Sequence, residues 1–308
     1  MTLIYEKVAL IGLGLIAGSI GYAAKRAGVV GQISGYARSA ETRAAALELG
    51  FVDSVAETAA EAAKDADLVI LCVPVGAMEQ VARQIAPALK PGATVSDVGS
   101  VKQAVVDAVL PHLPDNVEFI PAHPMAGTEH SGPHAGFAEL FENRWCLITP
   151  LPQNDPAAVT RLEQFWRALG SQIETMEVAH HDLVVAVTSH APHLIAYTMV
   201  GVADDMERVS KTEVVNLSAA GFRDFTRIAA SDPTMWRDVF LNNREATLEI
   251  LGRFTEELFA LQRAIRKGDG DTLFDYFTHT RAVRKSIIEA GQDTDAPDFG
   301  RSGAKEPE

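Results

Sequence analysis

Three groups of side chains in this chain have the types and spacings that chemistry requires. The first is His123, within Ala122-His123-Pro124-Met125-Ala126-Gly127-Thr128-Glu129. An imidazole with an ordinary pKa of about 6.5 is largely neutral at physiological pH, so at the edge of a crevice it accepts a substrate hydroxyl proton while hydride leaves the same carbon. The alternative is a structural histidine satisfied by its neighbours. The second group is Thr188-Ser189-His190-Ala191-Pro192-His193, where the two histidines share a helix face. That pair suits contact with a carboxylate or a ribose, a metal pair, or core packing, and no carboxylate stands at matching spacing to complete a metal site. The third group is Arg223 and Arg227, with Asp224 beside them. Guanidinium forks bind carboxylates bidentately, and a net-acidic protein that captures an anion needs such a local positive cluster. A solvated helix face with an internal ion pair is the other reading, and it suits Arg223 better than Arg227, whose neighbours Ile228 and Ala229 are apolar.

The elements that must position these groups begin with an apolar strand over residues 7–11, which runs into Gly12-Leu13-Gly14-Leu15-Ile16-Ala17-Gly18-Ser19 and then a helix over 19–27. Glycines at a strand-to-helix turn hold a dinucleotide pyrophosphate: Gly12 permits the turn, Gly14 lets the backbone approach phosphate, and Ala17 keeps helix and strand packed. Further strands are expected at 32–36, 52–55, 67–74, 93–97 and 117–121, with helices between them. Loops leave the strand carboxyl ends at Val73-Pro74, at Asp97-Val98-Gly99-Ser100 and at residues 122–125, and in an open parallel sheet those ends line the ligand crevice. Residues 145–149 and 172–176, with a helix over 157–170, are expected to extend the same sheet. From residue 177 onward helical periodicity takes over, with helices at 179–203, 205–219, 222–230, 234–267 and 270–290.

The fold class is therefore α/β: a Rossmann-type doubly wound sheet over residues 1–176, an all-helical substrate and dimerisation domain over 177–290, and a disordered tail over 291–308. The cofactor is a nicotinamide dinucleotide held at Gly12, Gly14, Leu15, Ile16 and Ala17, with Val73 and Pro74 at the next strand end. After the second strand an acidic residue would bind the adenosine ribose of NAD. Here Ala37-Arg38-Ser39 follows, with Arg43 a turn farther on. Arg38 and Ser39 suit a 2′-phosphate, so NADP is expected to be accepted alongside or ahead of NAD.

The 308 residues carry 27 Lys+Arg against 41 Asp+Glu, a net charge of −14, which disfavours nucleic acid and anionic membranes as partners. Cys72 and Cys146 lie in apolar runs without metal or redox spacing and read as core residues in a reducing cytoplasm. The apolar run at 183–203 is long enough to span a bilayer, but His190, Pro192 and His193 near its centre favour a buried helix whose polar groups have a task.

Taken together, the glycine turn, Asp97-Val98-Gly99-Ser100-Val101-Lys102, His123-Pro124-Met125-Ala126-Gly127, Ser189-His190-Ala191-Pro192-His193 and Phe225-Thr226-Arg227-Ile228-Ala229 resemble the prephenate/arogenate dehydrogenase family of tyrosine biosynthesis. The resemblance implies oxidative decarboxylation of prephenate or arogenate with hydride transfer to NAD(P). It implies that His123 is the catalytic partner of the ring hydroxyl and that Arg227 binds the ring carboxylate. Ser100 would touch the substrate-nicotinamide region, His193 the side-chain carboxylate, and Thr128 and His190 would line the same pocket. Trp236 would enter the neighbouring subunit's pocket in a homodimer. The rival readings are a β-hydroxyacid-type dehydrogenase, which would use Lys211 as acid and base, and a non-catalytic dinucleotide sensor, which needs no crevice histidine.

Overall fold

The structure, a computed structural model, describes residues 3–128, 130–205, 213 and 217–289. The expected tail at 291–308 and Lys211 lie outside the described residues. Two compact units are present, Met1–Leu248 and Glu249–Glu308.

The first unit is built on six parallel strands: β1 (Tyr5–Ile11), β2 (Val30–Tyr36), β3 (Ser54–Val55), β4 (Leu68–Leu71), β5 (Thr94–Asp97) and β6 (Glu118–Phe119). Their spatial order is β3-β2-β1-β4-β5-β6, so the chain reverses direction across the sheet at β1 and β4. Parallel strands with helices on both sides are buried on both faces, which is why β1 and β4 read as continuous apolar runs. Val8, Leu10, Leu68 and Ile70 feed one core, which Phe51, Phe165 and Trp166 complete. Ala9, Ile11, Val69 and Leu71 feed the other, with Met78, Ile85, Phe119 and Trp236. The register sets Ile11 beside Tyr36 and Leu71, and Leu71 beside Asp97, bringing the carboxyl ends of four strands to one edge.

Four expectations from the sequence need correction. Residues 145–149 and 172–176 do not extend the parallel sheet; β8 (Trp145–Ile148) and β9 (Gln172–Thr175) form a separate three-stranded sheet with β7 (Ala122–Pro124). Residues 122–124 are thus a strand, antiparallel to β8, and not a loop. The switch occurs at Pro121, which has no N–H for a ladder and whose carbonyl accepts from Thr149 N at 3.0 Å. The helix expected at 179–203 is three pieces: an α-helix Val178–Val185, a π-helical turn Ala186–His190, and an α-helix Ala191–Asp205. Pro192 cannot donate in the ladder and its ring crowds the carbonyl a turn earlier, which favours the wider turn before it.

The third and fourth corrections also concern helices. The helix expected at 222–230 is α-helical over Ala220–Thr226 and 3₁₀ over Arg227–Ala230. The one expected at 234–267 breaks at Asn243 into Pro233–Asn242 and Arg244–Lys267, because Asn243 turns its amide into the first unit's interior. Val178–Asp205 as a whole is long and apolar enough to cross a membrane, and His181, Asp182 and His190 within it are buried and hydrogen-bonded in the first unit.

Candidate active site

The first element of the site is the turn after β1. Gly12 sits at φ +99, and a Cβ there would lie 2.4 Å from the Cys72 carbonyl oxygen, so only glycine lets β1 turn beside β4. Gly14 caps the helix Leu15–Ala27 with no side-chain hydrogen bond, and a Cβ on it would meet nothing within 4 Å. Bare helix N–H groups therefore face open space, which fits a dinucleotide pyrophosphate. Ala17 is fully buried beneath the turn, Leu15, Ile16 and Val73 are half-buried around it, and Pro74 is exposed.

At the end of β2, Ser39 caps the helix Ala40–Glu48 by accepting from Thr42 N. Arg43 is not free to meet a ligand: it is buried, donates to the Ala37 carbonyl at 2.8 Å and pairs with Glu57 at 2.6 Å. It braces the backbone of Ala37 and Arg38, while Arg38 is exposed with no acidic partner among the described residues.

The end of β5 is locked by a fully buried ion pair between Asp97 and Lys102. Asp97 also accepts from Gly99 N at 2.7 Å and from Ala122 N at 3.2 Å, and Lys102 Nζ donates to the Ala122 carbonyl at 2.7 Å. Burial pulls the Lys102 ammonium below its usual range against the opposing pull of Asp97. These bonds fix the half-buried Ser100 on one side and, on the other, the residue before His123.

His123 is only 8% exposed. Its Nδ1 lies 2.9 Å from His181 Nε2, and His181 Nδ1 lies 2.9 Å from Asp182 Oδ1. The Asp182 carboxylate also accepts from Lys102 N at 2.7 Å and Gln103 N at 2.9 Å. Burial opposes ionisation of Asp182, but the bonds from His181 and from those two N–H groups outweigh it and hold the carboxyl below its usual range. Since an ionised carboxylate only accepts, the tautomers are assigned in sequence: His181 Nδ1 donates to Asp182, His181 Nε2 accepts, and His123 Nδ1 donates. Nε2 of His123 then carries the lone pair and has no hydrogen-bond partner among the described residues. Burial, joined by the charges His181, Lys102 and His190 would carry, holds His123 well below 6.5.

Beside this row stands a second cluster. Asn243 Nδ2 donates to the Asp182 carbonyl at 2.8 Å and lies 3.0 Å from His190 Nδ1, which therefore accepts. The proton of His190 is then on Nε2, which is buried without a hydrogen-bond partner near the Ser100 backbone. Burial pushes His190 down to about 4. His193 donates from Nδ1 to the Ser189 carbonyl at 2.8 Å and stacks on Trp236, the ring centroids 3.6 Å apart. Burial lowers His193, the Ser189 bond opposes this, and the nearby Arg227 guanidinium adds to it.

The structure thus brings His123, His190, His193, Trp236, Ser100 and Arg227 into one neighbourhood. Arg227 has no acidic partner within salt-bridge distance among the described residues, and Asp224 pairs with neither arginine. Thr128 is exposed, its hydroxyl accepting from His130 N at 3.2 Å. Within its own chain Trp236 is 6% exposed, its indole stacked on His193 and tilted against Phe240. Sequence reasoning missed His181, Asp182, Asn243 and the Asp97–Lys102 pair. The polar triplet His180-His181-Asp182 in an otherwise apolar run was the available signal.

Residues 20–175 match the model of the prephenate dehydrogenase nucleotide-binding domain, and residues 177–279 match that of the prephenate dehydrogenase dimerization domain. The chain is 40% identical over 284 residues to a cyclohexadienyl dehydrogenase of Zymomonas mobilis, covering 92% of this chain and 97% of that one. It is 34% identical to a prephenate dehydrogenase of Bacillus subtilis, covering 92% of this chain and 76% of the other. Among solved structures, the prephenate dehydrogenase of A. aeolicus in complex with hydroxyphenyl propionate and NAD+ superposes with a TM-score of 0.84 at 31% identity, over 92% of this chain and 98% of that one. Synechocystis arogenate dehydrogenase gives 0.80 at 27% identity, over 91% and 99%.

Proposed function

This chain belongs to the prephenate dehydrogenase family, enzymes of tyrosine biosynthesis, and from that premise we propose how its own residues carry out NAD(P)-dependent oxidative decarboxylation of prephenate or arogenate. His123 Nε2 takes the proton of the ring hydroxyl as the hydride departs from the same carbon. A bound oxidised nicotinamide supplies the hydride acceptor at the carboxyl edge of the sheet. The carbonyl that forms draws electrons from the ring carboxylate bond, carbon dioxide leaves, and aromatisation makes the sequence irreversible. Nothing else in the chemistry needs an electron sink, so the protein's work is to align, desolvate and hold.

Arg227 binds the ring carboxylate, a role supported by its lack of an acidic partner among the described residues and its nearness to His193. His193, braced by Trp236, reaches the side-chain carboxylate from its free Nε2. Ser100 and His190 line the same pocket, and Thr128 closes it from the loop after β7. The observation that carries this reading is His123 Nε2, which has no hydrogen-bond partner among the described residues, beside the Asp97-anchored end of β5 and two strands from the glycine turn.

For the cofactor we propose that NADP is accepted as well as NAD, supported by Ala37 in place of an acid and by the exposed Arg38, without an acidic partner among the described residues, with Ser39 beside it. The protein works as a homodimer in the cytoplasm. The dimerization-domain match supports the first, together with Phe259, Phe274 and Phe277, 59%, 70% and 55% exposed on the helices of the second unit; the free thiols of Cys72 and Cys146 suit the second. Mixing purified protein with prephenate or arogenate and each cofactor, and following reduced-nicotinamide absorbance, tests the activity. Reduction is expected with at least one substrate, and no reduction in any combination would refute it. Sedimentation tests the dimer.

A further inference from the structure

Two buried residues behind the reacting histidine have no assigned part in the reaction. We propose that His181 and Asp182 form a positioning relay that fixes the tautomer of His123 and takes up the positive charge it acquires. The inference rests on the proposed role of His123 as base.

The geometry leaves the row one arrangement. Asp182 is anchored by two backbone N–H groups at the start of the helix Gln103–Val109, so its carboxylate is held in place from outside the row. Its Oδ1 faces His181 Nδ1, and His181 Nε2 faces His123 Nδ1, both at 2.9 Å. A free imidazole prefers its proton on Nε2, and in that form His123 would offer a substrate hydroxyl no acceptor. With His181 Nε2 aimed at Nδ1, the proton stays on Nδ1 and the lone pair on Nε2. When His123 takes a proton at Nε2, its Nδ1–H bond to His181 strengthens, and the ionised Asp182 stabilises the pair through His181.

The charges facing the row are accounted for. From β5 and its following loop come Asp97 and Lys102, already paired to each other. His123 comes from β7, Asp182 from the same helix as His181, and His190 from the π-helical turn. The ion pair is close to neutral as a unit, so Asp182 is the unbalanced negative charge nearest the row. Asp182 also ties the second cluster in, since its carbonyl accepts from Asn243, which holds His190.

The test combines kinetics with a spectroscopic readout that does not depend on substrate identity. In the parent protein, ¹⁵N NMR of the imidazoles is expected to show His123 protonated on Nδ1, and His181→Leu is expected to populate the Nε2–H form. The same variant should lower kcat by about a hundredfold, the scale of general-base assistance, with KM and NAD+ affinity nearly unchanged. His181→Gln, whose side-chain oxygen can still accept from Nδ1, should regain most of that loss. Asp182→Asn removes the charge that favours the imidazolium, so the acid limb of kcat/KM should move to lower pH.

If His181→Leu does not fold, the glutamine and asparagine variants decide alone. A parent His123 protonated on Nε2, a His181→Leu kcat within about twofold of the parent, or an unmoved acid limb in Asp182→Asn would each overturn the relay. A parent inactive with both substrates would instead refute the functional reading, and the tautomer measurement would still judge the relay.

Discussion

The glycine turn after β1 and the histidine row at β7 are built by opposite means. The turn works by leaving side chains out: Gly12 must lack a Cβ to pass Cys72, and Gly14 leaves its helix N-terminus bare. It grips with backbone groups that every residue carries, so a few small residues suffice. The row works by burying polar side chains that water would otherwise satisfy, and each must be matched by another. His123 needs His181, His181 needs Asp182, and Asp182 needs two backbone donors from the helix after Lys102. The turn is thus a local motif, whereas the row needs three segments brought together: β7, the helix Val178–Val185 and the start of the helix Gln103–Val109.

That contrast predicts unequal costs of substitution. Lys102→Met should be the most damaging, because it leaves Asp97 charged and buried; a loss of about 3–5 kcal/mol is expected, read as a lower urea midpoint. An unchanged midpoint would mean the pair does not brace the row. His123→Asn should keep cofactor and substrate binding while lowering turnover by about a hundredfold or more. In the parent, because burial lowers His123, the base remains neutral to below pH 6.5, so the acid limb of kcat/KM should lie under that value. A limb at or above it would show that His123 is not the titrating group.

Arg227→Ala removes a charge-assisted contact and should weaken substrate binding by about 2–3 kcal/mol, some thirtyfold to over a hundredfold, with cofactor affinity nearly constant. Equal substrate affinity in titrations of parent and variant would dismiss the carboxylate role. At the turn, Gly14→Ala should leave thermal stability almost untouched, since its Cβ meets no protein atom, yet reduce cofactor affinity by obstructing the phosphate. A matching loss of stability would erase the distinction between turn and row. The smallest effect is expected from Ala37→Asp, which should shift preference from NADP toward NAD by repelling a 2′-phosphate; steady-state rates with each cofactor measure it. Strict NAD use by the parent would show that Arg38 does not face the ribose.

Much of the fold was legible in the chain because its rules are local. Apolar runs of strand length, glycines at the first turn and alternation with helices gave the parallel sheet, and β1 through β5 lie where the periodicity sets them. The second sheet was not legible: residues 145–148 are an apolar run that suits either sheet, residues 122–124 are too short to show a period, and which edge they join depends on Pro121 and on a partner over twenty residues away. The π-helical turn and the break at Asn243 were hidden for a similar reason, since helical periodicity continues through both and only the pull of distant partners interrupts it. At the site, His123, His190, His193 and Arg227 stood out as chemically able side chains in suggestive loops and helix faces.

What the sequence determined by itself was therefore the six-stranded parallel sheet, the dinucleotide turn and the inventory of reactive groups, because each follows from residue type and short spacing. Tertiary structure alone decided which groups would serve one another. Arg43, near the ribose position in sequence, was spent on bracing Ala37 and Arg38. Trp236 stacked on His193, 43 residues before it. His181 and Asp182, 58 and 59 residues beyond His123, became its partners because Asp97 and Lys102 draw β7 against the helix that carries them. A buried polar group takes whichever partner the packed chain brings within hydrogen-bond reach, and that distance is set in space and not along the sequence.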